Sequence, residues 1–198
     1  MIAAGDRIAG FVNYGVGASK YSMGQNLVAA GLFGGGNNVA LGFETDGVYL
    51  NGLGIQQTTA WAVAVAYEHW WTPQLSSSVY GTVAGNKYNS TVVAGGWFCG
   101  KGGAAAQNVT QVNPALACDP AFRYSSVNFQ TSWYPVPAFR LGVEVMYMMI
   151  DTAFDGQQLV LTPSPVQGRR PSGVYTARDQ NLAAITFRAQ RGFGGVGE

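Results

Sequence analysis

The sequence predicts an all-β fold, a segment of a transmembrane antiparallel β-barrel, and three observations predict it. Charge is scarce where aromatic residues and glycine are plentiful. Apolar and polar residues alternate with a period of two. Short and long connections follow one another in turn. Of the 198 residues, 11% are charged and 13% aromatic, and 28 are glycine. Soluble domains carry charge on about a quarter of their residues. Mean hydropathy is nonetheless only +0.08, too polar for a bundle of membrane helices. A spanning helix needs about 20 consecutive apolar residues. The best run, Ala60 to Ala66, is stopped by Glu68, His69 and Pro73. A membrane barrel produces this composition because lipid-facing apolar and lumen-facing polar positions average out. The net charge of +1 offers no basic field, so no nucleic-acid partner is expected.

Six strands are expected within a single domain spanning 1–198, each from period-two alternation. The first, at about 6–16, is weak. The second, at about 55–71, sets Trp61, Val63, Val65 and Tyr67 on one face and Ala62, Ala64, Ala66 and Glu68 on the other. The third, at about 76–88, is small and mixed, with Val79 and Val83 in alternation. The fourth, at about 124–133, opposes Val127, Phe129, Thr131 and Trp133 to Ser126, Asn128, Gln130 and Ser132. The fifth, at about 140–150, opposes Leu141, Val143, Val145, Tyr147 and Met149 to Arg140, Gly142 and Glu144. The sixth, at about 179–193, opposes Ala183, Ile185, Phe187 and Ala189 to Leu182, Thr186, Arg188 and Gln190.

The connections differ in length. Thr72-Pro73-Gln74-Leu75 and Tyr134-Pro135-Val136-Pro137-Ala138 are short and proline-bearing, which predicts tight turns. Gly17 to Gly54, Asn89 to Arg123 and Asp151 to Arg178 are long, and structureless loops of that length are uncommon in compact soluble domains. Outer-membrane barrels have short periplasmic turns and long extracellular loops, so the order long, short, long, short, long places both tight turns on the periplasmic side. Tyr67, Trp70, Trp71, Trp133 and Tyr134 gather at those turns and are expected to form an interfacial aromatic girdle. Met1 to Asp6 lacks the basic and apolar regions of a signal peptide. Bacterial single-chain barrels begin at about eight strands, and an open sheet would expose two unpaired edges to lipid. The expectation is therefore a barrel that is N-terminally incomplete in this sequence.

Several motifs together resemble the porins of alphaproteobacteria. Thr58-Thr-Ala-Trp-Ala-Val-Ala-Val-Ala-Tyr67-Glu-His-Trp-Trp-Thr-Pro73 is similar to that family's strand and periplasmic turn, and Ser78-Val-Tyr-Gly81 to its following strand. Cys99 and Cys118-Asp-Pro120 resemble its loop cysteines. Trp133-Tyr-Pro-Val-Pro137, Asp151-Thr-Ala-Phe154 and a closing Phe187-Arg-Ala-Gln-Arg191 continue the likeness, which runs from about Asp6 to Phe193. The resemblance implies a sixteen-stranded, homotrimeric porin of the Gram-negative outer membrane, a passive channel for small hydrophilic solutes and ions. The family's N-terminal strands and its inward constricting loop have no counterpart here. Gly194-Gly-Val-Gly-Glu198 follows Phe193, where family members end at a terminal Phe.

No catalytic residue, metal site or cofactor is expected. Cys99 and Cys118, the only cysteines, fall in one long loop and read as a disulfide in an exported protein, or as two free thiols in a retained one. Two thiols with no nearby histidine do not make a closed metal site. His69, the sole histidine, has no recognisable nucleophile motif downstream and reads as interfacial. Gly15-Val-Gly17-Ala-Ser-Lys20 lacks the spacing and the following helix of a phosphate loop. Gly34-Gly-Gly36 and Gly102-Gly103 read as loop material. A charge facing lipid at mid-membrane costs roughly 2–4 kcal/mol. Glu68, Arg140, Glu144 and Arg188 are accordingly expected to line the lumen and set its ion preference. The rival readings are a soluble β-sandwich such as a carbohydrate-binding module, an enzymatic barrel, and a non-porous structural barrel or adhesin.

Overall fold

The computed structural model describes residues 5–23, 30–99, 109–113, 115–161 and 172–192. The sequence readings at Met1–Ala4, Gly102–Gly103 and Phe193–Glu198 fall outside these residues. In chain order the first elements are β1 (Arg7–Val16), α1 (Ser19–Met23), β2 (Ala30–Phe33), β3 (Asn38–Gly42), β4 (Gly47–Leu50) and β5 (Gly54–Gln57). Next come β6 (Thr59–Thr72), β7 (Leu75–Lys87), α2 (Ser90–Gly95), a 3-10 turn at Trp97–Cys99 and β8 (Val109–Gln111). The chain continues through β9 (Arg123–Val136), β10 (Phe139–Asp151), β11 (Gln158–Leu161), β12 (Gly173–Ala177) and β13 (Gln180–Arg191). The protein is all-β, and among the described residues no helix is long and apolar enough to cross a membrane.

Six long strands pair in the order β1-β6-β7-β9-β10-β13 to form the first region, a wall that is antiparallel throughout. The wall does not close on itself among the described residues, and β1 and β13 are its edges. These strands coincide with the six expected from alternation, with one break. The segment expected at about 55–71 is two strands, β5 and β6, parted at Thr58. Thr58 is withdrawn from the ladder because its N–H donates to Asp46 O at 3.0 Å while its carbonyl accepts from Gly17 N at 2.8 Å.

Pro73 and Gln74 form the first tight turn, where Thr72 Oγ1 accepts from Gln74 N at 3.2 Å. The second turn is shorter than expected. β9 continues through Tyr134, Pro135 and Val136, leaving only Pro137 and Ala138, and Ala138 takes the left-handed region at φ 64°. A proline inside a strand removes one ladder donor and is tolerated at bulges. Pro135 lies opposite the register shift between Phe139 and Leu141, which is such a site.

The long connections are not structureless, which corrects the expectation. They fold into a second region, a cap of short strands in the order β2-β3-β12-β11-β8, with β4 and β5 forming a separate hairpin. Its core holds Val39, Leu41, Phe43, Val92, Phe98, Phe154, Leu159 and Tyr175 against Ala60, Ala62, Ala84 and Ile150 of the wall. Small alanines on the wall let the cap's large rings approach. The Phe43 ring meets Phe98 at 5.0 Å and Phe154 at 5.7 Å between centroids. Gly42 is required here because the Phe122 ring occupies the space where a Cβ would go.

Several buried polar groups at this junction are paired, as burial demands. Asn86 Nδ2 donates to Phe43 O at 2.5 Å, and Asn86 Oδ1 accepts from Phe122 N at 3.2 Å. Tyr88 OH donates to Phe43 O at 2.7 Å, and burial together with the Glu44 charge pushes its pKa well up. Thr152 Oγ1 accepts from Leu41 N at 2.8 Å. The five-residue α1 follows Gly17, which has φ +70°. Asp46 Oδ1 accepts from Ser19 N at 2.6 Å and from Ser19 Oγ at 2.9 Å.

Candidate functional site

The wall separates two chemistries, and register decides which residue meets which. Strand side chains alternate between faces, so pairing fixes the composition of each face across all six strands. One outer row runs Ile8, Tyr67, Val79, Phe129, Val145, Ile185, and the next runs Gly10, Val65, Gly81, Val127, Tyr147, Ala183. These large apolar side chains are exposed, up to 76% for Val12 and 79% for Phe187. An exposed apolar patch far beyond a few hundred Å² is foreign to a monomer in water.

No Asp, Glu, Lys or Arg of the strands lies on this face between its rims. At the cap-side rim Arg123 Nε donates to Asp151 Oδ2 at 2.6 Å. At the turn-side rim His69 Nδ1 donates to Asp6 Oδ1 at 2.6 Å, and Asp6 is 4% exposed. Two of the hydroxyls between pair with each other, Ser77 Oγ with Thr131 Oγ1 at 3.0 Å. From Leu141 to Met149 the apolar run extends about 27 Å along the strand at about 3.4 Å per residue. A lipid-facing band is about 25 Å tall and is crossed by tilted strands.

Only part of the expected girdle lies on that face. Tyr67, Trp71 and Trp133 do, at the turn-side rim, where Trp71 Nε1 donates to Ser77 Oγ at 3.1 Å and stands edge-on to His69 at 4.4 Å. Trp70 and Tyr134 are corrected. They lie on the opposite face and stack on each other, with centroids 5.5 Å apart and planes 26° from parallel. The cause is plain alternation, since Trp70 shares the face of Glu68 and Tyr134 that of Ser132. Tyr14 and Trp61, direct register partners, hold the cap-side rim. Tyr14 escaped sequence reasoning, although its distance up the strand from Ile8 could have pointed to it.

The inner face carries the four expected lumenal charges. Register places Glu68, Arg140, Glu144 and Arg188 on it together. Its middle rows are mostly small or polar, with Tyr80 and Met146 the larger members: Ala66, Tyr80, Asn128, Met146, Ala184 in one, and Glu68, Ser78, Gln130, Glu144, Thr186 in the next. The Tyr80 hydroxyl donates to Glu144 Oε1. Arg140 donates from Nε to Ser132 Oγ at 3.0 Å and from Nη2 to Gln130 Oε1 at 2.8 Å. Arg7 stands directly opposite Glu68. Among the described residues the cap covers the inner face at its own end, through Ala60, Ala62, Ala84 and Ile150.

Cys99 and Cys118 form a disulfide with their Cα atoms 6.0 Å apart, tying the 3-10 turn to the segment that leads into β9. Closing a 19-residue separation restricts the unfolded chain by about 3 kcal/mol. Among the described residues no three His, Cys, Asp or Glu side chains come together to hold a metal. The chain matches no protein-family model, no curated protein and no solved structure.

Proposed function

We propose that this chain is wall material of an outer-membrane diffusion channel of the porin type, admitting small hydrophilic solutes and ions without catalysis. One observation carries the reading. Six antiparallel strands hold an apolar outer face free of charge between its rims and collect Glu68, Arg140, Glu144 and Arg188 on the other. Lipid is the solvent that such an outer face fits, and water the one that the inner face fits. Strand lengths of 10 to 14 residues suit a tilted crossing of a bilayer. In hydrocarbon the free edges of β1 and β13 are prohibitive, so the functional barrel pairs both edges with further strands. The homotrimer implied by resemblance belongs to that complete barrel.

The small second sheet favours one other reading, a two-layer sandwich that binds carbohydrate in water. That reading leaves the outer face with no covering layer. Detergent extraction followed by planar-bilayer recording separates the two. The expected result is a chain insoluble without detergent and, with both edges paired in the complete barrel, ohmic, stepwise conductance. A monomer freely soluble in buffer and silent in the bilayer contradicts the channel.

A further inference from the structure

We propose that the turn-side part of the inner face binds a small oxyanion, with Arg140 as its fixed ligand and Arg188 beside it. The inference rests on reading this face as the one in contact with water. Arg140 is held before any ligand arrives. Its Nε and Nη2 donate to Ser132 Oγ at 3.0 and 2.8 Å, Nη2 also reaches Gln130 Oε1 at 2.8 Å, and the guanidinium lies 5.9 Å from the Tyr134 ring centroid. Tyr134 is itself fixed by its stack on Trp70. Every one of these partners is neutral, so the positive charge is positioned without being cancelled. The two Nη1 donors take no part in these bonds.

The neighbouring acid, Glu144, offsets only one of the two positive charges. Glu144 is engaged by the Tyr80 hydroxyl. Arg188 stands opposite Gly142, which has no side chain to divide it from Arg140 and Glu144 on the same strand. Both guanidiniums lie within electrostatic reach of the Tyr80 hydroxyl. Arg7 and Glu68, further along the same face, are register partners and offset one another. A surplus of one positive charge is left at Arg140 and Arg188. Guanidinium forks match the paired oxygens of a carboxylate or phosphate, and a fork fixed in advance loses little entropy on binding. The class of solute favoured is therefore a small carboxylate or phosphate.

Inorganic phosphate is the probe, titrated into the full chain folded in detergent and followed by the width of its phosphorus NMR line. The expected result is saturable broadening in the native chain. Arg140→Gln weakens it roughly tenfold, as loss of a charge-assisted contact does, and Arg188→Gln a few-fold. Arg140→Lys keeps the charge without the fork and gives an intermediate loss, and it carries the test where Arg140→Gln does not fold. Arg123→Gln, on the outer rim, leaves the affinity unchanged. Equal affinity in the native chain and the Arg140 variants overturns the site, making Arg140 a structural brace only. So does an absence of saturable broadening in folded native chain. Phosphate binding in detergent needs no conduction, so a complete barrel that binds phosphate and passes no current refutes the channel and leaves the site standing.

Discussion

Phe43 and Phe187 are the same side chain in opposite situations, one fully buried in the cap and the other 79% exposed on the wall. The cap is built as a soluble domain is built, with aromatic rings inward, polar junction groups paired and a disulfide across it. The wall is built the other way round, with its large apolar residues outward and its charges inward. On the proposed reading, one chain holds both because the two regions answer to different solvents. A soluble protein has no use for the wall's outer face, and a lipid-embedded segment has no need of the cap's core. The boundary between them runs through the alanines Ala60, Ala62 and Ala84, where wall and cap meet.

The cap should fail by itself. Phe43→Ala removes a ring packed between Phe98 and Phe154 and should cost about 3–5 kcal/mol. Near-UV dichroism and proteolysis should report loss of the cap, while the β-signal of the wall persists in detergent. Simultaneous loss of both regions would merge them into one cooperative unit. Reducing the Cys99–Cys118 bond should cost about 3 kcal/mol, felt in the same region. Thiol titration of the native folded chain should find no free thiol before reductant and two after it. At the rim, Arg123→Ala breaks an exposed ion pair with Asp151 and should change stability by less than about 1 kcal/mol in denaturant titration. A larger loss would mean that the rim is buried in the assembled protein.

The two regions differed as much in legibility as in design. The wall was readable because alternation over 10 to 14 residues repeats often enough to exceed chance. Its tight turns carry proline, and Glu68, Arg140, Glu144 and Arg188 fell together on the face that alternation assigned them. The cap was not readable. Its strands are three to five residues long, too short for a period to register, and they pair across great sequence distances. β3, for example, runs parallel to β12 with Val39 opposite Ala177. Thr58 fits a period of two and gives no sign of the break that Asp46 and Gly17 impose on it. Trp70 and Tyr134 were misplaced for another reason. They were grouped with Trp71 and Trp133 by nearness to the turns, although a period of two sets each on the opposite face.

The central claim is that the wall has one lipid face and one water face, and adjacent residues of β10 test it most directly. Val145→Trp and Met146→Trp place the same indole on the outer and the inner face at one height. In bilayers whose lipids carry bromine at mid-chain, Val145→Trp should be quenched strongly above the background of the native tryptophans and be shielded from aqueous iodide. Met146→Trp should give the reverse. Equal quenching of the two by brominated lipid, or iodide access at Val145→Trp, would contradict a lipid-facing outer surface and with it the channel reading.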